Sequence, residues 1–124
     1  MAQLAASRAE RAATATREGV AIDRDHLQQM TLGDRSLARE VLSLFDRQAQ
    51  ILIARVPDAD AAAAAALAHT LKGSARGIGA WQVAQAAEML ERAAGSAERG
   101  DAVAGLIAAV ADARAGIAAL LRAH

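Results

Sequence analysis

The sequence predicts an all-α fold: an antiparallel up-down four-helix bundle with a short additional helix at its N-terminal side. Hydrophobic residues make up 54% of the 124 residues but aromatic residues only 2%. Such a composition favours closely spaced helices, because sheets are enriched in β-branched and aromatic side chains. One proline and nine glycines leave few interruptions. Apolar residues recur every three to four positions, which is the period of an amphipathic helix.

The N-terminal half of the chain predicts a tail and two helices. Residues 1–19 are expected to form a flexible or helical tail, and residues 20–124 a single bundle domain. Asp23 is the predicted N-cap of a short helix, RDHLQQM, which a Gly33–Asp34 turn separates from a long second helix. The second helix ends at Pro57, because the residue before a proline avoids the α region. Its predicted inward stripe consists of Leu37, Val41, Leu44, Phe45, Gln48 and Leu52.

Three further helices are predicted in the second half. The third is alanine-rich, and its last turn is expected to dissolve at Gly77 and Gly79. Its predicted core stripe consists of Leu67, Leu71, Ser74 and Ile78. The fourth helix begins at Trp81, which is expected to plug one end of the bundle. Its predicted inward face carries Val83, Ala87, Leu90 and Ala94. Gly100–Asp101 is expected to separate it from a fifth helix over residues 102–121.

Composition also excludes several classes of function. The formal net charge is zero, so no whole-molecule basic field attracts nucleic acid. Cysteine is absent, which excludes disulfides and thiolate metal sites. The longest apolar run, residues 61–68, is too short to span a bilayer, and the first residues lack a secretory core. We therefore expect a cytoplasmic protein that binds neither membrane nor nucleic acid.

The three histidines are too scattered for a metal site, so neither a metal nor a cofactor is expected. His26 is predicted to be a solvated helix residue, and His124 stands at the end of the chain. The remaining histidine, His69, lies in the segment LAHTLKGSARGIGA. That segment also holds Lys72, the single lysine among 14 basic residues.

A helical wheel places His69 on the side of the third helix opposite its predicted core stripe. Lys72, Gly73 and Arg76 follow at the i+3, i+4 and i+7 positions and are expected to share that outward face. Glycine inside a helix costs roughly 1 kcal/mol relative to alanine, so its use in an alanine-rich helix calls for a reason. A neutral imidazole is a nucleophile, and an ammonium group one turn away can neutralise phosphoryl oxygens. The pattern thus indicates phosphoryl chemistry, with Gly73 clearing space for a partner.

Residues 69–75, His-Thr-Leu-Lys-Gly-Ser-Ala, resemble the signature of the histidine-containing phosphotransfer (HPt) domains of multistep phosphorelays. The flanking segments AIDRDHLQQMTLGDRSLAREVLSLF and IGAWQVAQAAEMLE are similar to the same family. The resemblance implies a four-helix bundle that relays phosphoryl groups in two-component signalling, as in bacteria. It also implies that the protein has no ATP site of its own and is not itself a kinase.

The resemblance assigns roles to individual residues. His69 is implied to be the phosphoacceptor, Lys72 the cation that faces the phosphate, and Gly73 the clearance position. Glu91 matches a position that often faces the acceptor histidine, whereas Arg76 is inferred from the wheel alone. The implied partners are receiver domains, either of response regulators or of hybrid histidine kinases. A monomer is expected, since one chain supplies all four long helices.

Two alternatives stay open at the level of sequence. The dimerisation and phosphoacceptor domain of a histidine kinase usually has an acid directly after its histidine, whereas Thr70 follows His69 here. The chain also has no nucleotide-binding segment, because LKGS inverts the order of a Walker A loop. The second alternative is an adaptor bundle that binds a partner without phosphotransfer.

Overall fold

A computed structural model describes residues 21–123, so the predicted tail and His124 lie outside the described residues. The described part contains five helices and no strand. In chain order they are α1 (Arg24–Met30), α2 (Arg35–Arg55), α3 (Ala61–Ile78), α4 (Trp81–Ala93) and α5 (Arg99–Ala123). The predicted all-helical class, with one short helix before four longer ones, is confirmed.

The four long helices form a closed ring of contacts, because α2 packs on α3, α3 on α4, α4 on α5, and α5 on α2. The short α1 packs on α3. The ring encloses a core of alanine and aliphatic side chains with a single aromatic residue, Phe45. Small alanines allow the helices to approach closely, in keeping with the composition.

Aspartate side chains begin three of the helices as N-caps. Asp23 accepts a hydrogen bond from the His26 backbone N–H at 3.1 Å, and Asp34 accepts one from Leu37 N–H at 3.0 Å. Asp60 caps α3 in the same way, through Ala63 N–H at 2.8 Å. Each carboxylate satisfies a donor that the first helical turn leaves unpaired.

The inward face of α2 differs from the predicted stripe. Leu42, Phe45, Ala49 and Leu52 are buried, whereas Leu37 and Leu44 are largely exposed. Phe45 and Leu52 belong to both the predicted and the observed core, and Val41 and Gln48 are half-buried, so the observed face is rotated from the predicted stripe away from Leu37 and Leu44. The true core side includes Ala49, whose small side chain gives a weak hydrophobic signal.

Helix ends required three corrections in the second half of the chain. Gly77 does not dissolve α3, which stays helical to Ile78 and ends at Gly79 in the left-handed conformation, with φ 83°. Gly100 and Asp101 do not separate two helices, because α5 already begins at Arg99. The separating turn lies earlier, over residues 94–98, where Ser96 accepts from Glu98 N–H. The predicted α4 face is confirmed, since all four of its residues are buried.

α1 is fastened to the turn between α3 and α4. Asp23 N–H donates to Gly79 O at 2.9 Å, and Trp81 Nε1–H donates to Asp23 Oδ2 at 2.9 Å. His26 is not solvated as predicted, because it lies half-buried with its ring edge-on to Trp81, at a centroid distance of 4.9 Å. We call these four residues the α1 junction.

Arg99 ties together the loop that follows α2 and the loop that follows α4. Its guanidinium donates to Val56 O at 3.2 Å, to Ala59 O at 2.7 Å and to Ala94 O at 3.4 Å. α5 is the one described helix long and apolar enough to cross a membrane by length and composition. Its inward residues belong to the bundle core: Ala102, Leu106, Val110, Ala113 and Ile117.

Candidate phosphotransfer site

His69 lies in the middle of α3, and its imidazole is on the outer surface of the helix. Its side chain is 68% exposed, whereas Ala68 on the neighbouring position is buried. The buried face of α3 consists of Ala64, Ala68, Leu71, Ala75 and Ile78. This face is rotated from the predicted stripe toward α4, so that Leu67 and Ser74 are only half-buried. The prediction that His69 points outward is confirmed.

Glu91 on α4 contacts two of the four predicted site residues of α3, His69 and Lys72. Its Oε2 lies 2.8 Å from His69 Nδ1, and its Oε1 accepts a hydrogen bond from Lys72 Nζ at 2.6 Å. The Lys72 hydrogen bond, followed by that of His69, lowers the pKa of Glu91 below its ordinary value of 4.5. The carboxylate is therefore ionised at neutral pH and can only accept.

The charge of Glu91 decides which tautomer of the neutral His69 imidazole forms this hydrogen bond. Since an ionised carboxylate can only accept a hydrogen bond, His69 Nδ1 carries a proton and donates a hydrogen bond to Glu91 Oε2. In the neutral ring the lone pair then resides on Nε2. The exposed side chain leaves that nitrogen open to a reactant arriving from solvent.

Lys72 does not share the outward face as the wheel predicted. Its side chain is only 13% exposed, because the rotation of α3 turns this position toward α4 and the carboxylate of Glu91. The ammonium group is thus held beside His69 by an anion that partly cancels its charge. The sequence predicted correctly that Lys72 lies near His69, but it did not predict that the lysine side chain is largely buried.

Gly73 and Arg76 lie outside this cluster. Both positions are exposed, and a Cβ built on Gly73 would meet no atom within 4 Å. The structure therefore gives no internal packing reason for a glycine at position 73. Within residues 21–123, Arg76 makes no ion pair and no side-chain hydrogen bond, so the structure does not bring it to His69 or Glu91.

The surface around the histidine is almost bare. Ala62, Ala66 and Gly73 lie on the outward face of α3, and each is exposed. Small side chains on consecutive turns leave a flat strip beside the imidazole, onto which another backbone can approach closely. In the described part of the chain, no cluster of histidine and acidic residues is arranged to hold a metal ion.

Sequence reasoning reached Glu91 only through the family resemblance. Nothing in the periodicity of α4 distinguishes it from Glu88, which pairs with Arg92 on the same helix at 3.3 Å.

Comparison with known proteins gives one match. The family model of the Hpt domain matches residues 24–122, which covers all five helices except the last residue of α5. No curated protein and no solved structure matches the chain significantly. The match spans most of the chain and includes the His69–Lys72–Gly73 motif and Glu91. The chain therefore belongs to the Hpt domain family, whose members serve histidine phosphotransfer in phosphorelays.

Proposed function

We propose that this domain accepts a phosphoryl group on His69 from the aspartate of one receiver domain and passes it to another. The observation that carries the proposal is the exposed Nε2 of an imidazole whose Nδ1 proton is held by Glu91 at 2.8 Å. That arrangement supports a nucleophile with a defined tautomer, on a rigid helix. Family membership supports the same chemistry.

The transfer step balances without a cofactor. The Nε2 lone pair forms a bond to the phosphorus of the receiver's aspartyl phosphate, and the bond between phosphorus and the carboxylate oxygen breaks. The aspartate leaves as a carboxylate, and the ring keeps its Nδ1 proton and becomes positively charged. Glu91 stabilises that charge through the hydrogen bond already in place. The return step to a second receiver reverses these bond changes.

Lys72 is placed to supply the positive charge that the phosphoryl oxygens need. Its ammonium group is one helical turn from His69 and is bound to Glu91 Oε1 in the resting state. Lysine carries its charge on a flexible stem, so the ammonium can turn from Glu91 to an arriving phosphoryl oxygen. We infer that Glu91 holds this cation ready until the phosphoryl group arrives.

α2 supplies an apolar surface for the receiver to contact. Leu44 and Ile51 are 53% and 61% exposed and lie seven residues apart on one side of the helix. Asp46, which pairs with Arg114 on α5, points to the other side, so the two apolar residues flank α3. A receiver seated over the bare strip of α3 would bury them. In this proposal the domain acts as a cytoplasmic monomer.

The experiment incubates the chain with receiver domains phosphorylated on aspartate and follows label transfer. We expect acid-labile, base-stable label on the wild type, and none on His69→Gln. The matched control is His26→Gln, which should be labelled normally because that ring lies at the α1 junction. Helical circular dichroism and melting temperature of His69→Gln should stay close to the wild type, since exposed substitutions change stability by no more than about 0.5 kcal/mol.

Three outcomes would contradict the proposal. Label appearing with ATP alone would indicate a kinase phosphoacceptor domain, and label persisting on His69→Gln would place the phosphoryl group elsewhere. A chain that binds receivers without ever being labelled would be an adaptor bundle.

A further inference from the structure

A pocket of ≈ 260 Å³ lies at the corner where α1, the turn over residues 31–34, α2 and the end of α5 meet. Its floor is apolar, and three arginines line it. The lining includes Arg24, Arg35, Arg39, Leu27, Leu42 and Leu121. It lies at the opposite side of α2 from the strip around His69, and the phosphotransfer chemistry makes no use of it.

Two helical stripes build the pocket. On α1, Leu27 follows Arg24 by three residues. On α2, Arg39 and Leu42 follow Arg35 by four and seven residues. Each stripe therefore places arginine and leucine on one side of its helix, facing the same pocket. The turn between the helices brings the two stripes together, and α5 closes the apolar floor with Leu121.

The charges that line this pocket do not balance. The lining contains three arginines and one acid, Asp34, whose Oδ1 already accepts a hydrogen bond from Leu37 N–H. Arg39 donates to Leu121 O at 2.9 Å. Across residues 21–123, neither Arg24 nor Arg35 forms an ion pair or a side-chain hydrogen bond.

The position of Arg35 is unfavourable for the isolated fold. It is the first residue of α2, where the helix dipole favours negative charge, and the first turn of α2 contains no acid. Arg39 adds a like charge at the i+4 position, which is also unfavourable. An anion bound between these guanidinium groups would relieve both effects.

We propose that this pocket binds a small amphipathic anion. Its carboxylate or phosphate head lies between Arg24 and Arg35, and a short aliphatic tail lies on Leu27, Leu42 and Leu121. The volume is just below the roughly 300–1,000 Å³ of ordinary small-molecule sites, so the ligand is short. Since the ligand bridges α1, α2 and α5, its binding stabilises the docking of α1. The inference is independent of the proposed phosphotransfer function.

An NMR titration of the full chain tests the proposal. Octanoate and octyl phosphate are the probes, acetate supplies the charge without the tail, and 1-octanol supplies the tail without the charge. We expect saturable shifts of backbone amides in residues 31–39 with either probe, and the tighter of the two identifies the head group. Acetate and 1-octanol should give no saturable shift at the same concentrations.

Variants show whether the arginines bind the head group. Arg24→Gln combined with Arg35→Gln should weaken probe binding by about tenfold or more, since two charge-assisted contacts are lost. The control is Arg47→Gln, an exposed arginine on α2 outside the pocket, which should change the affinity by less than about twofold. Both variants should melt normally.

Four results would overturn the proposal. No saturable shift with either probe would mean that the pocket takes no such ligand. Equal binding of acetate would reduce it to a bare anion site, and equal binding of 1-octanol to an apolar one. An Arg47→Gln variant that binds as weakly as the double variant would show that only overall charge matters.

Discussion

The site around Glu91 and the α1 junction around Asp23 share one hydrogen-bonding arrangement but serve different purposes. In both, one carboxylate accepts two hydrogen bonds, one on each oxygen: Glu91 from His69 and Lys72, Asp23 from His26 N–H and Trp81 Nε1–H. The junction closes on the buried Gly79 backbone, whereas the Glu91 site leaves its imidazole 68% exposed. The first arrangement fixes one helix on another, and the second holds a reactive group toward solvent.

This contrast separates two effects of substitution. Changes at the site around Glu91 should alter phosphoryl transfer and leave the fold intact, since its side chains do not belong to the hydrophobic core. Changes at the junction should lower the free energy of unfolding and leave the chemistry of the folded molecules unchanged. The transfer rate and the free energy of unfolding, measured on the same variants, test that separation.

The largest effect is expected for Gly73→Gln. The position is helical and exposed, and a Cβ there meets nothing within 4 Å, so glutamine should be neutral or mildly stabilising. The added side chain would stand on the bare strip that a receiver must cover. Misplacing the reacting groups by about 1 Å can cost on the order of a hundredfold in rate. Phosphotransfer time courses and thermal melts should show slow transfer at an unchanged melting temperature, with Gly73→Ala intermediate in rate.

The matched control for this substitution is Gly105→Gln. Gly105 is also an exposed helical glycine with nothing within 4 Å, but it lies on α5, which is across the helix ring from α3. It should transfer at the wild-type rate. Slow transfer in this control, or normal transfer in Gly73→Gln, would contradict the clearance role of Gly73. Unfolding of Gly73→Gln would make the glycine structural.

The second effect belongs to the junction. Gly79→Ala places a Cβ 2.9 Å from Asp23 O, at a backbone φ of 83° that L-residues avoid. We expect a loss of at least about 2 kcal/mol in the free energy of unfolding. Gly77→Ala, two residues earlier, is helical with open space around it and should be neutral or stabilising. Urea unfolding of the two variants measures the difference.

Transfer by the folded fraction of Gly79→Ala should proceed at the wild-type rate. If fully folded Gly79→Ala transferred phosphoryl groups slowly, the α1 junction would influence the site around His69. Effects on stability and on transfer would then not be separable. An unchanged stability would mean that the α3–α4 turn adapts and that the junction contributes little.

The residues with clear local chemistry were predictable from the sequence, and those defined by packing were not. The cap at Asp23, the turn at Gly33–Asp34, the outward His69 and the inward face of α4 follow from short-range rules, and all are present. The face of α2 was predicted only in part: Phe45 and Leu52 are in the core, but Leu37 and Leu44 are exposed, and the small Ala49 packs in the core instead. The covered position of Lys72 depends on a modest rotation of α3, which no sequence period reveals.

The junction shows the same limit. His26 looked like a solvated residue because its helix is short and polar, yet it packs against Trp81, which lies more than fifty residues later in the sequence. Glu91 has nothing in its neighbourhood that marks it among the acids of α4. Contacts between distant segments decide both cases, and only the family resemblance pointed to Glu91.

The third effect is a moderate loss of transfer in Lys72→Ala. The ammonium group lies 2.6 Å from Glu91 Oε1, on the carboxylate that also contacts His69, and one charge-assisted contact is worth about a tenfold change in rate. Stability should fall by less than about 1 kcal/mol, because the lost pair is partly solvated. Lys72→Arg should recover part of the rate. Quench-flow transfer assays and the lifetime of the phosphohistidine measure both effects.

The control is Arg92→Ala, which removes the cation of an exposed ion pair with Glu88 on the adjoining part of α4. It should leave transfer within about twofold of the wild type, since the rim charge only alters long-range attraction. If Lys72→Ala transfers normally, or Arg92→Ala is equally slow, a specific role for Lys72 is wrong.

The smallest effect concerns the pH dependence of stability at Glu91. The hydrogen bonds from Lys72 and then His69 lower the pKa of Glu91 in the folded state below 4.5. A carboxyl with a depressed folded-state pKa contributes its stability above the unfolded pKa, and that contribution disappears as the pH falls through the folded pKa. Glu91→Gln removes the titrating group, so its urea midpoint should fall less steeply than that of the wild type when the pH is lowered below about 4.5.

The Lys72→Met background sharpens this test. Since Lys72 is the main cause of the lowered pKa, adding Glu91→Gln to Lys72→Met should flatten the pH profile less than it flattens that of the wild type. Urea midpoints of the four proteins between pH 3 and pH 7 complete the cycle. Equal flattening in both backgrounds would mean that Lys72 does not set the ionisation of Glu91. The carboxylate would then be held by His69 alone, and the picture of Glu91 as the holder of a waiting cation would be wrong.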